Sequence, residues 1–168
     1  HFGLVPNDRL RIFHEDGRVF LNNAPKAQYD AVLIDAFGSL FSIPFQLTTV
    51  EAVREIRKTL NEDGVVIVNI GSAVTGPGSR FLEAEHQTYR SVFEHVSIVK
   101  VRPEMPDEKV QNVMLIASAK PLSAFALPMP ERLRNGLIAF DPPTNTAILT
   151  DDIAPVEYFN SLALETTD

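Results

Sequence analysis

The stretch Y-D-A-V-L-I-D-A-F, residues 29–37, decides the fold that we predict for this chain. Its centre, residues 31–34, is an unbroken apolar run, which is typical of a strand buried on both faces of a parallel sheet. Asp35 follows at the point where such a strand ends. Ligands of open α/β sheets bind at the carboxyl ends of the strands, so an acid here is placed to contact a small molecule. The alternative is that Asp35 only caps a turn.

The composition is that of one globular domain. The chain has 168 residues, of which 45% are hydrophobic and 22% are charged. A chain of this length buries roughly 70% of the surface of its unfolded form. The net charge of -7 leaves no basic excess to neutralise phosphates, so we expect no nucleic-acid partner. The absence of cysteine excludes disulfides, thiolate metal sites and a thiol nucleophile.

The sequence also sets expectations about location and completeness. No apolar run approaches the ~20 residues that cross a bilayer, and the N-terminus lacks a signal pattern. We therefore expect a cytoplasmic protein without membrane contact. The chain begins at His1, and its first residues already have the pattern of elements from the middle of a fold. These residues are therefore expected to be the later elements of a longer polypeptide.

Turn signals divide the residues ahead of the central stretch. Residues 10–14 are rich in strand formers and predict a first strand. A helix is expected to begin at Asp16 or Gly17 and to end before Pro25. We expect the first strand to be displaced or paired to another molecule, because its sheet neighbour would lie upstream of His1.

Capping and periodicity predict the next two elements. Thr48 and Glu51 match a capping box, which opens a helix over residues 49–60. A turn at 61–64 is expected to lead into a second buried strand over 65–70.

We do not expect the Gly-rich residues 71–79 to bind phosphate, because Pro77 stands where the phosphate-loop motif requires a lysine, and we favour a mobile active-site loop instead. Ser79 is expected to cap a helix that runs to about His95. On that helix His86 and His95 are too far apart for a zinc pair, so we expect both at the surface and no metal site.

The last predicted strands form a hairpin, and a Pro-rich segment follows. Residues 97–102 and 110–119 are joined by a connection too short for a parallel crossover, so they are expected to pair antiparallel. We divide the chain into residues 1–120, the domain proper, and 121–168, a C-terminal extension packed on it. A helical turn is expected near 131–135.

Four blocks of sequence, in this order, resemble the spermidine synthases and the spermidine-synthase-like domains of longer bacterial proteins. The blocks are H-E-D-G-R at 14–18, Y-D-A-V-L-I-D-A-F at 29–37, I-P-F-Q-L-T-T at 43–49 and L-N-E-D-G-V-V at 60–66. The resemblance covers about residues 9–120, with a weaker similarity at the acid-rich residues 150–157. It implies a Rossmann-like methyltransferase-type three-layer α/β sandwich, truncated at the N-terminus and ending in an antiparallel hairpin.

The resemblance also implies a nucleoside site. Asp16 would accept a hydrogen bond from the adenine amino group, and Gly17 would leave room for the base. Asp35, with Ala36 after it, would lie beside the sulfonium, and Asp35 would be the catalytic acid that orients the incoming amine. The second acid of that family's block falls on Gly38 in this chain.

Two other family positions differ, since Asn69 stands where a glutamine is usual and no tyrosine precedes the last strands. The simplest interpretation of the acid-rich segment is a solvated tail. The alternative is that its Asp151 or Asp152 replaces the acid that is missing at position 38.

The function implied is a transferase domain that uses S-adenosylmethionine or its decarboxylated form as substrate and moves an aminopropyl group to a polyamine. No metal is implied. The alternatives are a non-catalytic scaffold or ligand-sensing module, and methyl transfer on the same fold. The implied partners are the nucleoside and the polyamine, with a homodimer as a further possibility. The fragment alone is expected to be inactive.

Overall fold

The computed structural model describes residues 5–36, 44–125 and 129–165, and within these ranges five strands form one sheet. The strands are β1 (Tyr29–Ile34), β2 (Leu60–Ser72), β3 (His95–Lys100), β4 (Gln111–Ser118) and β5 (Leu137–Ile138). Their order in the sheet is β1-β2-β4-β3-β5. The β1 and β2 strands are parallel, and the other neighbouring pairs are antiparallel. The predicted hairpin of the last two long strands is therefore confirmed.

Five α-helices accompany the sheet among the described residues. They are α1 (Gly17–Asn23), α2 (Val50–Thr59), α3 (Arg80–Arg90), α4 (Glu131–Gly136) and α5 (Val156–Glu165). The helices predicted after Asp16, after the capping box and near 131–135 are therefore confirmed. No described helix is long and apolar enough to cross a membrane.

The main core lies between the sheet and a layer of α2, α3 and α5. Alternate residues of β2 are fully buried against this layer because side chains point to opposite faces every second residue. Val66, Val68 and Ile70 are at most 1% exposed. They meet Val53 and Ile56 on the apolar face of α2. The helical spacing predicted for that face is therefore correct.

The second face of the sheet is covered at its β3 end. Val99 and Ile116 point to that face and line a small cavity with Leu133 of α4. Helices therefore lie on both faces, and the predicted α/β class is confirmed.

Strand β1 is less buried than predicted. Leu33 is 74% exposed, and Ala31 is exposed as well. The reason is position, since β1 has β2 on one side and no described strand on the other. The expectation of burial on both faces was wrong for this strand.

The strand predicted at residues 10–14 is also absent. Residues 11–14 have no regular structure, and a tight turn in which Asn7 and Leu10 exchange backbone hydrogen bonds precedes them. A strand needs a neighbour for its backbone donors and acceptors, and no described strand is adjacent here. The segment does not pair with β1.

Several element ends differ from the prediction. Thr49, and not Thr48, caps α2 by accepting from the Ala52 amide. The predicted turn at 61–64 is part of β2, which bulges there opposite β1. Ser79 gives α3 no side-chain cap, because its hydroxyl bonds to Gly76 and Glu83 instead.

The two histidines also differ from the prediction. Helix α3 ends at Arg90, so His95 lies in β3, where it is half-buried. His86 is 7% exposed and packs edge-on against Phe140, with ring centroids 5.2 Å apart. The surface placement of His86 was wrong, because the C-terminal residues cover the outer side of α3.

We expect self-association through β1, because no described strand pairs with its outer edge. An unpaired, apolar strand edge is a template for another chain, and a lysine on such an edge opposes pairing. We expect Leu33→Lys to raise the monomer fraction severalfold in sedimentation velocity at micromolar concentration. The matched control is Ile153→Lys, because Ile153 is 69% exposed but lies in a loop. Equal effects of both variants would contradict the edge as the contact.

Candidate functional site

A cavity of about 440 Å³ runs along β1 and is closed on one side by α1. Its walls are mainly apolar and include Phe20 and Leu21 of α1. At the carboxyl end of β1 it is bounded by Asp35 and Ala36. The cavity is thus an apolar cleft with a carboxylate at one end, which is a common form of small-molecule site.

Asp35 is held by a neighbour on β2. The parallel register pairs Ile34 with Val68, so the residues that follow them are adjacent. The Asn69 Nδ2 amide donates to Asp35 Oδ1 at 2.8 Å. Asn69 Oδ1 is buried and has no hydrogen-bond partner among the described residues. A carboxylate beside an unpaired carbonyl oxygen favours a ligand that carries hydrogen-bond donors or positive charge.

Asp16 forms the turn at the opposite wall. Its Oδ1 accepts from the Arg18 and Val19 amides at 2.9 and 3.1 Å and so caps α1. The cap places Gly17 on the cavity, where a Cβ would lie 3.4 Å from Leu47 Cδ1. A larger side chain at Gly17 would therefore enter the space of the cleft.

The four residues predicted for the nucleoside site have the following positions. Gly17, Asp35 and Ala36 line one cavity. Asp16 is adjacent to Gly17 in the chain but does not itself line the cavity. Gly38 and most of the apolar loop after the central stretch lie outside the described residues. The role of Asn69 as the partner of Asp35 was missed, and it could have been found only from the register of the parallel strands.

Neither Asp151 nor Asp152 of the acid-rich segment lines the cavity that Asp35 bounds. Asp151 forms an ion pair with Arg18, with Oδ2 and Nη2 2.8 Å apart. Asp152 is exposed and has no side-chain bond to the described part of the chain. The expectation of a wholly solvated tail was wrong for Asp151, because the guanidinium of Arg18 holds it.

Other titratable groups lie away from the cleft on α3. Burial raises the pKa of Glu85 well above its ordinary value. Burial, and secondly the nearby Glu85, raises the pKa of Tyr89. None of them lines the cleft, and no group of three or more His, Asp and Glu side chains in the described ranges is placed to hold a metal ion.

The sheet order, the parallel β1–β2 pair and the helices on both faces define a Rossmann-like α/β protein, and its cavity lies at the end of β1, the position at which open α/β sheets bind ligands. No protein-family model matches the chain. Its curated relatives include a probable polyamine aminopropyl transferase of Bifidobacterium longum, 28% identical over 89% of this chain and 38% of the relative. A polyamine aminopropyltransferase of Pyrobaculum calidifontis is 35% identical over 46% of this chain and 28% of the relative. The chain thus spans well under half the length of these relatives.

Solved structures give the same result. A probable spermidine synthase from Corynebacterium glutamicum is 25% identical, with a TM-score of 0.61 over 71% of this chain and 41% of that one. The spermidine synthase of Thermotoga maritima, 14% identical, matches in fold alone, with a TM-score of 0.53 over 95% of this chain and 51% of that one. The chain is therefore spermidine synthase-like in sequence and Rossmann-like in fold, which confirms the resemblance inferred from its motifs.

Proposed function

We propose that the chain is a spermidine-synthase-like transferase domain that binds a sulfonium nucleoside, decarboxylated S-adenosylmethionine, and moves its aminopropyl group to a polyamine. The observation that carries the proposal is Asp35, which follows β1 directly, bounds the apolar cleft and accepts from the Asn69 amide. The apolar walls suit an adenine ring, and the Asp35 carboxylate suits a cation.

The negative charge of Asp35 has two roles in the proposed reaction, one toward the sulfonium and one toward the attacking amine. The neutral amine attacks the carbon bound to the sulfonium, the carbon–sulfur bond breaks, and its electron pair neutralises sulfur. A carboxylate beside the sulfonium favours the cation in the bound substrate, and it accepts a hydrogen bond from the amine, which orients the nitrogen lone pair. The attacking nitrogen gains positive charge as the bond forms, and Asp35 stabilises that charge before the proton is lost.

The relatives support this assignment in name. Both curated relatives are described as aminopropyl transferases, and one spermidine synthase of the same fold was solved with the transition-state analogue AdoDATO. The net charge of -7 also suits a cationic polyamine acceptor.

One observation favours a second candidate, a non-catalytic relative that binds the nucleoside or assembles with a partner. Glycine occupies position 38, where the family's second acid would hold the attacking amine. An amine is inert while it is protonated, so losing a base slows transfer by about 10²–10⁴-fold. Methyl transfer on the same fold is a third candidate. It is distinguished from aminopropyl transfer by which nucleoside the protein binds more tightly.

The test is calorimetry of the protein as its gene encodes it, with three nucleosides. These are decarboxylated S-adenosylmethionine, S-adenosylmethionine and the uncharged methylthioadenosine. We expect Asp35→Asn to weaken binding of decarboxylated S-adenosylmethionine about tenfold or more, because a charge-assisted contact is lost. Binding of methylthioadenosine should weaken only about threefold or less.

The matched control is Asp30→Asn. Asp30 lies on the same strand and also accepts from an asparagine, Asn61, at 2.6 Å, but it does not line the cleft. Asp30→Asn should leave all three affinities unchanged. Failure of the wild-type protein to bind any of the three nucleosides would refute the proposal. Tighter binding of S-adenosylmethionine than of its decarboxylated form would favour methyl transfer.

A further inference from the structure

One short segment of the C-terminal region, residues 149–153, joins three helices. The Leu149 amide donates to Thr88 Oγ1 of α3 at 3.0 Å, and its carbonyl accepts from the Val50 amide of α2 at 2.8 Å. Two residues later, the Asp151 amide donates to Glu51 Oε2 at 3.0 Å. We call residues 149–153 the joining segment. It is fixed to the helical layer by the backbone of Leu149 and by the amide of Asp151 itself.

The Asp151 side chain extends these contacts to the first helix. Both carboxylate oxygens accept from Arg18, with Oδ2 2.8 Å from Nη2 and Oδ1 3.3 Å from Nη1. The Thr49 hydroxyl donates to Oδ1 at 2.6 Å. The Arg18 side chain is only 17% exposed. A two-pronged pair with a mostly buried guanidinium fixes direction as well as distance, unlike a loose surface ion pair.

Arg18 in turn connects the two walls of the cleft. It follows Gly17 directly, and its Nη1 donates to the Gln46 carbonyl at 2.9 Å. Gly17 and Leu47, the neighbours of these two residues, both line the cavity, and a Cβ at Gly17 would lie only 3.4 Å from Leu47 Cδ1. The position of the guanidinium therefore sets how closely the Gly17 turn approaches the 3₁₀ turn Phe45–Leu47.

We propose that Asp151 is a positioning residue, which holds the Gly17 turn and the Phe45–Leu47 turn at their spacing through Arg18 and so sets the width of the cleft. Its effect on nucleoside binding rests on the proposed function above. Its effect on α1 does not, because the Arg18 contacts exist without a ligand. The acid-rich segment that the sequence singled out thereby acts on the cleft from outside it.

The experiment compares Asp151→Asn with Asp152→Asn. Each variant removes one negative charge from the same exposed turn, and only Asp151 contacts Arg18. Hydrogen exchange is measured at the Phe20 and Leu21 amides of α1, and calorimetry gives the Kd of methylthioadenosine well below the unfolding temperature. We expect Asp151→Asn to speed exchange about tenfold and to raise the Kd about threefold, and Asp152→Asn to change neither.

A second variant, Arg18→Lys, keeps the positive charge but lacks the planar guanidinium that donates to both oxygens of Asp151. It should also speed hydrogen exchange at the α1 amides. Wild-type exchange rates in both Asp151→Asn and Arg18→Lys would overturn the proposal. Faster exchange with an unchanged Kd would also overturn it, because the ion pair would then stabilise α1 without positioning the cleft. If the wild-type protein binds no nucleoside, the proposed function fails. Faster α1 exchange in Asp151→Asn but not in Asp152→Asn then supports the effect of Asp151 on α1, and equal exchange in the two variants overturns it.

Discussion

Leu149→Ala is expected to lower the free energy of unfolding by about 3–4 kcal/mol. Leu149 is completely buried and belongs to the main core cluster, although it lies in the Pro-rich C-terminal region. Truncation to alanine removes the apolar contacts of the side chain and leaves a cavity. The backbone around it cannot collapse freely, because its amide and carbonyl are bonded to α3 and α2. The cost should therefore be in the middle of the range for buried leucines.

Urea unfolding followed by circular dichroism measures this effect. The control is Ile148→Ala, one residue earlier, where the side chain is 46% exposed and much less area is lost. We expect the control to cost about 1 kcal/mol or less and to keep the same denaturant slope. For a chain of this size the Leu149 variant should melt roughly 6–15 °C lower. Equal losses in the two variants would show that the C-terminal region does not contribute to the core as the structure indicates.

The contrast between Leu149 and α2 shows what local sequence can predict. The face of α2 is set by apolar residues three or four apart, and its burial follows from that spacing alone. Leu149 has prolines and polar residues around it, so no period marks it as internal. It is buried because α2 and α3, distant in the chain, lie on either side of it. Contacts of this kind are not encoded in a local pattern.

The central stretch shows the same limit at the site. The apolar run and the acid after it predicted a strand that ends at a ligand cleft; in the structure Asp35 follows β1 and lines a cavity, and its contact with a ligand stays a prediction. Exposure of Leu33 could not be predicted, since burial depends on the strand's neighbours and not on its own residues. The Asp35–Asn69 bond depends on the register of two parallel strands joined by a helix. A shift of that register by one residue would have turned Asn69 to the other face.

Helix α3 explains why the buried ionisable groups were also missed. A surface helix has one apolar stripe, but α3 contacts the sheet on one side and α2 and α5 on others. Polar residues in the middle of the helix are therefore enclosed, and Glu85 and His86 are both less than 10% exposed. The Glu85 oxygens and His86 Nδ1 have no hydrogen-bond partner among the described residues. In the folded state, burial disfavours the charged form of each group. The free energy of unfolding therefore falls as the pH is lowered because of His86, and falls as the pH is raised because of Glu85.

For His86 the sign follows from a lowered pKa. Burial, and secondly the Arg90 cation, lowers the pKa of His86 from 6.5 to about 4, although the Asp141 carboxylate partly opposes this. Above pH 6.5 the imidazole is neutral in both states. As the pH falls toward 4, the unfolded chain binds a proton that the folded chain refuses, so stability is lost. For Glu85 the raised pKa keeps the acid protonated when folded, so stability is lost as the pH rises above its ordinary value of 4.5.

We therefore expect two neutral replacements to change the pH profile in opposite directions. His86→Gln should remove up to about 3 kcal/mol of the stability loss between pH 6.5 and 4, which is the shift in pKa converted to free energy. Glu85→Gln should instead gain stability relative to wild type as the pH rises above 4.5, because the amide cannot ionise. Urea unfolding of the three proteins at pH steps from 4 to 8 measures both slopes. Each variant removes one ionisable group from the same helix, so each is the other's control. Slopes that change in the same direction would show that general destabilisation of α3, and not the burial of these two groups, governs the profile.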